Sequence, residues 1–516
     1  MSRWLPIAGL LVAVAAVLTC ILRLDGGAFT YSLDDPYIHL SLAENIARFH
    51  YGVNAEEFSS PSSSIVWPFL LAPFAAIGFD EYAPLLLNIV FAAVSVALLR
   101  PMVAWVVPES VNRRELTMTA LVLALTLGLN LVGLVFTGME HSLQVLLALA
   151  LGLGLIVHAE EERVTPWLIL AVVLGPLVRY ESAGLSAGAI LYLAWRGRVG
   201  VAGLLALAVA VPLAAFSYFL VSLGLDWLPG SVLVKGGLPI DPAHLFESLA
   251  RKLVTLVPPG PVERYSFLIM LLLTAGLLAS RRRARATAAE KALAATGVVA
   301  MLAHIALGQF GWFGRYEVYA FAFIFALLAY CWRGWLSGLY RRWPVGVVLP
   351  ASVLAILILG GSLVRATATT PLAASNIFEQ QYQMHRFLGD FYRQPVAVND
   401  LGLTSWRNEN EVLDLAGLGS LEALHLTMRE APGWQADLVR RRGISLVMIY
   451  RRWASAWLPS EWLWLGRLHL GRTRITAWQD TVDFYAAKPD AVAGLREKLA
   501  AFAATLPPGV IFEAAE

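Results

Sequence analysis

Uncharged apolar runs of about 15–25 residues recur from the N-terminus to about residue 364, the length needed to cross a bilayer as a helix. Twelve are visible: 4–22, 58–79, 82–99, 116–139, 141–159, 164–178, 182–195, 199–225, 265–280, 292–314, 318–332 and 343–364. Run 58–79 differs from the rest. It opens on Phe58-Ser59-Ser60-Pro61-Ser62-Ser63-Ser64 and is broken by Pro68 and Pro73, a pattern expected of an interfacial or re-entrant segment. After residue 365 the pattern changes. A helix-like stretch, Glu379 to Tyr392, precedes the short apolar run Pro395 to Val398. Trp434 to Arg442 reads as a helix, Ile444 to Tyr450 as a buried strand, and Ile475 to Ala486 alternates as a strand does. Short strands mixed with helices predict a small α/β unit.

The expected architecture is therefore a mainly α membrane protein. A polytopic helical domain, residues 1–365, contains a first loop 23–81 and a long loop 226–264, and an α/β domain covers 366–516. Composition agrees: 58% of the 516 residues are hydrophobic and only 15% are charged, against roughly 25% charged in soluble domains. Mean hydropathy is +0.64. A formal charge of +2 gives no basis for a nucleic-acid partner. Cys20 and Cys331 both lie in apolar runs, so no disulfide framework is indicated. The uncharged stretch after Arg3 is longer than a signal-peptide core and reads as a retained first span.

Charge sets the orientation. If 58–79 does not cross and the N-terminus is cytoplasmic, Arg113-Arg114, Arg163, Arg196/Arg198, Arg281 to Arg285 and Arg341-Arg342 all fall inside. That gives eleven spans with the N-terminus inside and the C-terminal domain outside. The same assignment collects Asp34-Asp35, Gly138-Met139-Glu140, Arg179-Tyr180-Glu181, Lys235 and Gly314-Arg315-Tyr316-Glu317 at the outer face. A polar cavity open to the exterior is the natural expectation.

Each of these residues has two readings. Asp34 and Asp35 either cap a helix starting at Pro36 or provide a general base, since adjacent carboxylates repel and one gains a raised pKa. They also suit an oxygen-bound divalent cation, Mg or Mn, and metal dependence is left open. His39 lies four residues after Asp35 and would share its helix face. Arg179 and Glu181 form either a structural ion pair or a ligand contact. Glu140 suits a helix start as well as a site. Arg315 and Tyr316, beside Trp312 and Phe313, offer a cation with aromatic faces, which membrane interfaces also collect. Lys235 either holds a phosphate as a point charge or snorkels.

Taken in order, these signals resemble the GT-C class of membrane glycosyltransferases, which use polyprenyl-phosphate-linked sugars. The resemblance extends to bacterial members related to the mycobacterial cell-wall terminal arabinofuranosyltransferase. It rests on Asp34, Asp35 and Tyr37; Ser59-Ser60-Pro61-Ser62; Gly138-Met139-Glu140; Arg179-Tyr180-Glu181; the Pro229 to Lys235 loop; Gly314-Arg315-Tyr316; Asn399-Asp400-Leu401-Gly402; and Asp414 to Leu418. Tyr180 stands where the class tends to have proline, and Gly230-Ser231 where it tends to have Asn-Thr. The resemblance implies a catalytic acid in the first exterior loop, Asp35 or Asp34. It implies a donor phosphate held by cations, for which Lys235, Arg179 and Arg315 are the candidates, a cell-envelope glycan, lipid or protein as acceptor, and a cytoplasmic (inner) membrane setting. Glu181, Tyr316, Glu140 and His39 are taken as further donor contacts, His39 also as a partner of Asp34 and Asp35 in a metal or proton-transfer cluster. The rival class is a transporter or lipid flippase, which would place ionisable residues at mid-membrane depth, and a receptor is a third reading. No internal repeat supports an inverted-repeat transporter.

Overall fold

A chain in lipid must satisfy its backbone polar groups within each segment, and the apolar runs accordingly fold as helices. The structure, a computed structural model, describes residues 4–235, 262–279, 287–429 and 433–516, and it is mostly helical with one C-terminal sheet. Among the described residues, five helices are long and apolar enough to cross a membrane: Leu5–Leu24, Ala83–Val106, His141–Glu161, Val199–Ser222 and Ala288–Ala306. Two bent pairs, Val318–Cys331 with Arg333–Arg342 (65°) and Val345–Leu359 with Gly361–Tyr392 (74°), bring the number to seven.

Several expected spans fold shorter than their apolar runs. Runs 164–178 and 182–195 give the 13-residue helices Pro166–Val178 and Ala183–Trp195, about 20 Å each against a hydrocarbon core of about 30 Å. Run 116–139 breaks at Asn130, whose φ is 52°, into Arg114–Gly128 and Leu131–Val135. Among the described residues, length alone therefore supports five to seven crossings, against the eleven that charge favours over the whole sequence. The helix Val66–Ala76 has 11 residues, roughly 16 Å at 1.5 Å per residue.

Helix His141–Glu161 is the central one. Of its most apolar window 67% is buried, against 17% for Val199–Ser222, which lies at the periphery. Its neighbours include Val318–Cys331, whose Tyr319, Phe323 and Leu327 are buried in the same apolar core.

The C-terminal sheet has six strands: β1 (Val396–Val398), β2 (Val412–Asp414), β3 (Leu446–Ile449), β4 (Leu463–His469), β5 (Thr481–Ala486) and β6 (Ile511–Ala514), in the order β2-β1-β3-β5-β4-β6. β2, β1 and β3 run parallel, with Val398 beside both Asp414 and Met448, while β5, β4 and β6 complete the sheet antiparallel. Parallel strands are buried on both faces, and β1 shows why three apolar residues suffice. Val396 and Val398 pack with Phe387, Phe484 and Phe502, while Ala397 faces Trp434, Leu438 and Tyr485.

The first loop joins the two regions. Asn54 bonds the backbone of Val412 in both directions, at 3.0 and 2.9 Å. Ser41 meets Ser405 at 3.1 Å, and Asp80 accepts from the Trp406 indole at 3.1 Å and from Arg407 at 3.0 Å. Arg407 also pairs with Glu44 and Glu81 at 3.5 and 3.8 Å.

Candidate active site

Asp34 and Asp35 are neighbours in sequence, but their side chains do different things. Asp34 precedes helix Asp35–Ala47, and its carboxylate oxygens accept the backbone N–H groups of Gly402 (2.7 Å) and Leu403 (2.8 Å). A side chain on Gly402 would run into that carboxylate, so glycine is required for the approach. Asp34 is 8% exposed. Burial above all, and then the charge of Asp400, pushes its pKa well up, against the two backbone donors. Asp35 keeps 21% of its side chain exposed and pairs with Arg315 at 3.2 Å.

Both acids line a cavity of about 270 Å³ between the helices and the sheet. Arg315 reaches it from a turn in which Gly311, Trp312, Phe313 and Gly314 all have positive φ, at 82°, 45°, 67° and 66°. The left-handed region costs a non-glycine residue roughly 1–2 kcal/mol. The turn is held by the Gly311 N–H donating to Glu317 (2.9 Å) and by Asn130 donating to the Phe313 carbonyl (3.4 Å). It places Trp312 on the cavity wall and Arg315 behind it, 2% exposed, with Tyr316 Oη accepting from its guanidinium at 3.1 Å.

The sheet supplies the opposite wall from the carboxyl ends of its parallel strands. Asp414 ends β2, Asn399-Asp400 follows β1 and Tyr450 follows β3. Asp400 accepts from Gln381 Nε2 at 2.6 Å and from the Tyr450 hydroxyl at 2.8 Å. Burial raises its pKa, and those two donors oppose the rise. Asp414 is pushed up to about 6 by burial, against N–H donors from Gly419, Ala416 and Leu418. Trp453 and Trp478 complete the aromatic lining.

A second, buried cluster lies behind Tyr316. Arg179 donates to Glu140 (2.7 Å), to Glu181 (2.7 and 3.2 Å) and to Ser63 (3.2 Å). Burial opposes ionisation of Glu181, but the Arg179 guanidinium outweighs it and holds the carboxyl below its usual range. His39 lies 3.8 Å from Glu140 and 3.1 Å from the Ser62 hydroxyl. The Arg315 and Arg179 guanidinium carbons stand 4.9 and 5.7 Å from the Tyr316 ring centre, so the two clusters share this ring.

The structure thus brings Asp34, Asp35, Arg315 and Tyr316 to one cavity and places Arg179, Glu140, Glu181 and His39 in the adjoining cluster. Lys235 ends the helix Gly230–Lys235, whose first N–H donates to Ser60 at 3.1 Å; its side chain lies outside the described residues. Gln381, Tyr450, Trp453 and Trp478 also line the cavity without a sequence motif that marks them, and Asp400 and Asp414 line it from motifs to which the sequence assigns no role. The available signal was position, since polar residues at the ends of parallel strands commonly face a ligand. Among the described residues, no group of three or more His, Cys, Asp or Glu side chains is arranged to hold a metal ion. Asp34 is committed to two amides and Asp35 to Arg315, a poor donor set for a cation.

A family profile described as a domain of unknown function (DUF8728) matches residues 375–486, which carry the sheet side of the cavity. No curated protein matches the chain. Among solved structures, arabinofuranosyltransferase AftD from Mycobacteria aligns at 14% identity and a TM-score of 0.42, over 94% of this chain and 42% of that one. The oligosaccharyltransferase of Archaeoglobus fulgidus, in the apo form, aligns at 10% identity and a TM-score of 0.44, over 98% of this chain and 76% of that one. The chain therefore spans less than half of the AftD chain. Likeness at this distance carries no inference about activity, for which the site geometry is the ground.

Proposed function

We propose that the chain is an inverting glycosyltransferase. It would move a sugar from a polyprenyl-phosphate donor to a cell-envelope glycan, lipid or protein at the outer face of the cytoplasmic membrane. One observation carries the reading: two adjacent carboxylates line an aromatic-walled cavity, one of them tied to backbone amides and the other, more exposed, paired with a buried arginine. That arrangement supplies a base, a cation for a leaving phosphate and ring faces for a sugar.

In this mechanism Asp35 removes the proton of the acceptor hydroxyl. The acceptor oxygen attacks the anomeric carbon as the bond to the phosphate oxygen breaks, and the phosphate leaves with the electron pair. A single displacement inverts the anomeric centre. Arg315, paired with Asp35 beforehand, is freed as Asp35 takes up the proton and turns its charge toward the leaving phosphate, where fixed cations contribute most. Lys235 is proposed as a further phosphate contact and Tyr316 as a donor contact. Arg179, Glu140, Glu181 and His39 back Tyr316 and shape the donor side. The N-terminus is proposed to be cytoplasmic and the sheet exterior.

The test is release of polyprenyl phosphate from a panel of polyprenyl-phosphate sugars by protein in nanodiscs, with and without EDTA. Asp35→Asn is expected to lower the rate by ~10²–10⁴-fold while leaving the folded protein intact. A variant that kept most of its activity would remove Asp35 from the role of base.

A further inference from the structure

Of the described residues lining the cavity, four are aspartates (Asp34, Asp35, Asp400 and Asp414) and one, Arg315, is a cation. The aspartates and the cation are not mixed evenly. Arg315 comes from the helical region beside Asp35, whereas the sheet side presents Asp400, Asp414, Gln381 and three aromatic rings without a positive charge. Such a wall repels a phosphate and favours a neutral ligand rich in hydroxyl donors.

Gln381 carries the argument further. It is 1% exposed, its Nε2 donates to Asp400 (2.6 Å) and to Tyr450 Oη (3.1 Å), and its Oε1 has no donor. A buried acceptor without a partner is costly, and a ligand hydroxyl that reached this enclosed atom, by a small turn of the side chain toward the cavity it lines, would supply the missing proton. Beside it the Tyr450 and Trp478 rings meet at 5.6 Å with 45° between their planes, and Trp478 is 43% exposed. An open indole face next to hydrogen-bond acceptors fits a sugar ring, whose C–H face is apolar and whose edge is polar. The volume of about 270 Å³ lies just under the roughly 300–1,000 Å³ of pockets that enclose drug-sized ligands. That leaves room for a small ligand the size of a sugar ring. In strand order β1 is the switch point, with β2 on one side and β3 on the other, and ligands of such sheets sit beyond the carboxyl ends at that point.

We infer that the sheet side of the cavity is the acceptor subsite and that it takes an uncharged sugar unit, with Trp478 as stacking platform and Gln381 and Asp400 as hydroxyl acceptors. The inference rests on the transferase reading for the word acceptor, but sugar binding itself does not.

The probe is a set of methyl glycosides, pyranosides of glucose, mannose and galactose and furanosides of arabinose and galactose, added to the full chain in nanodiscs. Binding is read by saturation-transfer NMR. At least one glycoside is expected to bind the wild type. Its dissociation constant should rise tenfold or more in Trp478→Ala and in Gln381→Leu, stay within about threefold in Trp478→Phe, which keeps a ring, and be unmoved by inorganic phosphate. No binding by any member, equal binding by Trp478→Ala and Gln381→Leu, or displacement by phosphate would overturn the inference. Glycoside binding without turnover of any polyprenyl-phosphate donor would leave the subsite standing and remove the transferase. Turnover with glycoside binding indifferent to Trp478 and Gln381 would do the reverse.

Discussion

Two aspartates separated by one peptide bond are divided by their surroundings into one held by backbone amides and one paired with Arg315, which is the proposed base. The division predicts opposite phenotypes. Asp34→Ala leaves the Gly402 and Leu403 amides without their acceptor, at roughly 1–3 kcal/mol for each buried donor left unpaired. It should lower the denaturation midpoint in detergent far more than Asp35→Asn does, while costing less activity per folded molecule. A loss of activity equal to that of Asp35→Asn, at unchanged stability, would put Asp34 in the chemistry. Asp414 makes a pH prediction. Its pKa rises from 3.8 unfolded to about 6 folded, so the folded state holds the proton more tightly. Its contribution to stability is full below pH 3.8 and is lost as pH rises through about 6. Asp414→Asn lacks that titration. The stability gap between wild type and variant should shrink between pH 4 and pH 6, by as much as ~3 kcal/mol at about 1.4 kcal/mol per unit. A gap that stays constant with pH would contradict the raised pKa.

At the scale of elements, the left-handed turn Gly311 to Gly314 is the least comfortable backbone in the site and delivers its cation. Strain of that kind persists only where neighbours impose it. Trp312→Gly and Trp312→Ala both delete the ring, but only glycine is at ease at a φ of 45°. The glycine variant should therefore be the more stable by about 1 kcal/mol, the reverse of the usual order, as measured by denaturation in detergent. Equal stabilities would mean that the turn is not held in this form.

Some elements could be anticipated and others could not. Helix Trp434–Arg441 and strands β1, β3 and β5 fall within the segments that the apolar pattern marks. β4 escapes because its register shifts between Trp464 and Gly466, breaking the two-residue period. β6 is a four-residue edge strand with little buried surface. The anchoring role of Asp34 was out of reach because its partners lie 368 and 369 residues away. Nothing near Asp34 announces that contact. The different surroundings of Asp34 and Asp35 thus needed the fold, whereas Asp35, Arg315 and Tyr316, which line one cavity, are also grouped by the charge pattern of the sequence.

For the whole molecule, the proposed orientation makes a direct prediction. In a background with Cys20 and Cys331 replaced, Ser455→Cys in the exposed part of the sheet region should react with a membrane-impermeant maleimide added to intact cells. Arg341→Cys, exposed at the far end of the helices, should react only after the membrane is opened. The opposite pattern would invert the proposed topology and with it the outer-face site.

The tie between Asp34 and Gly402 has a mechanical consequence. Consecutive Cα atoms are about 3.8 Å apart, so the residue gripping the sheet and the residue facing the cavity share one rigid peptide unit. Asp34 is fastened by two amides and has almost no slack. Any shift of the Gly402 segment against the bilayer is geared directly to Asp35. Pressure on the sheet would be felt at the Asp35 carboxylate as a change of aim, without a separate moving part to transmit it.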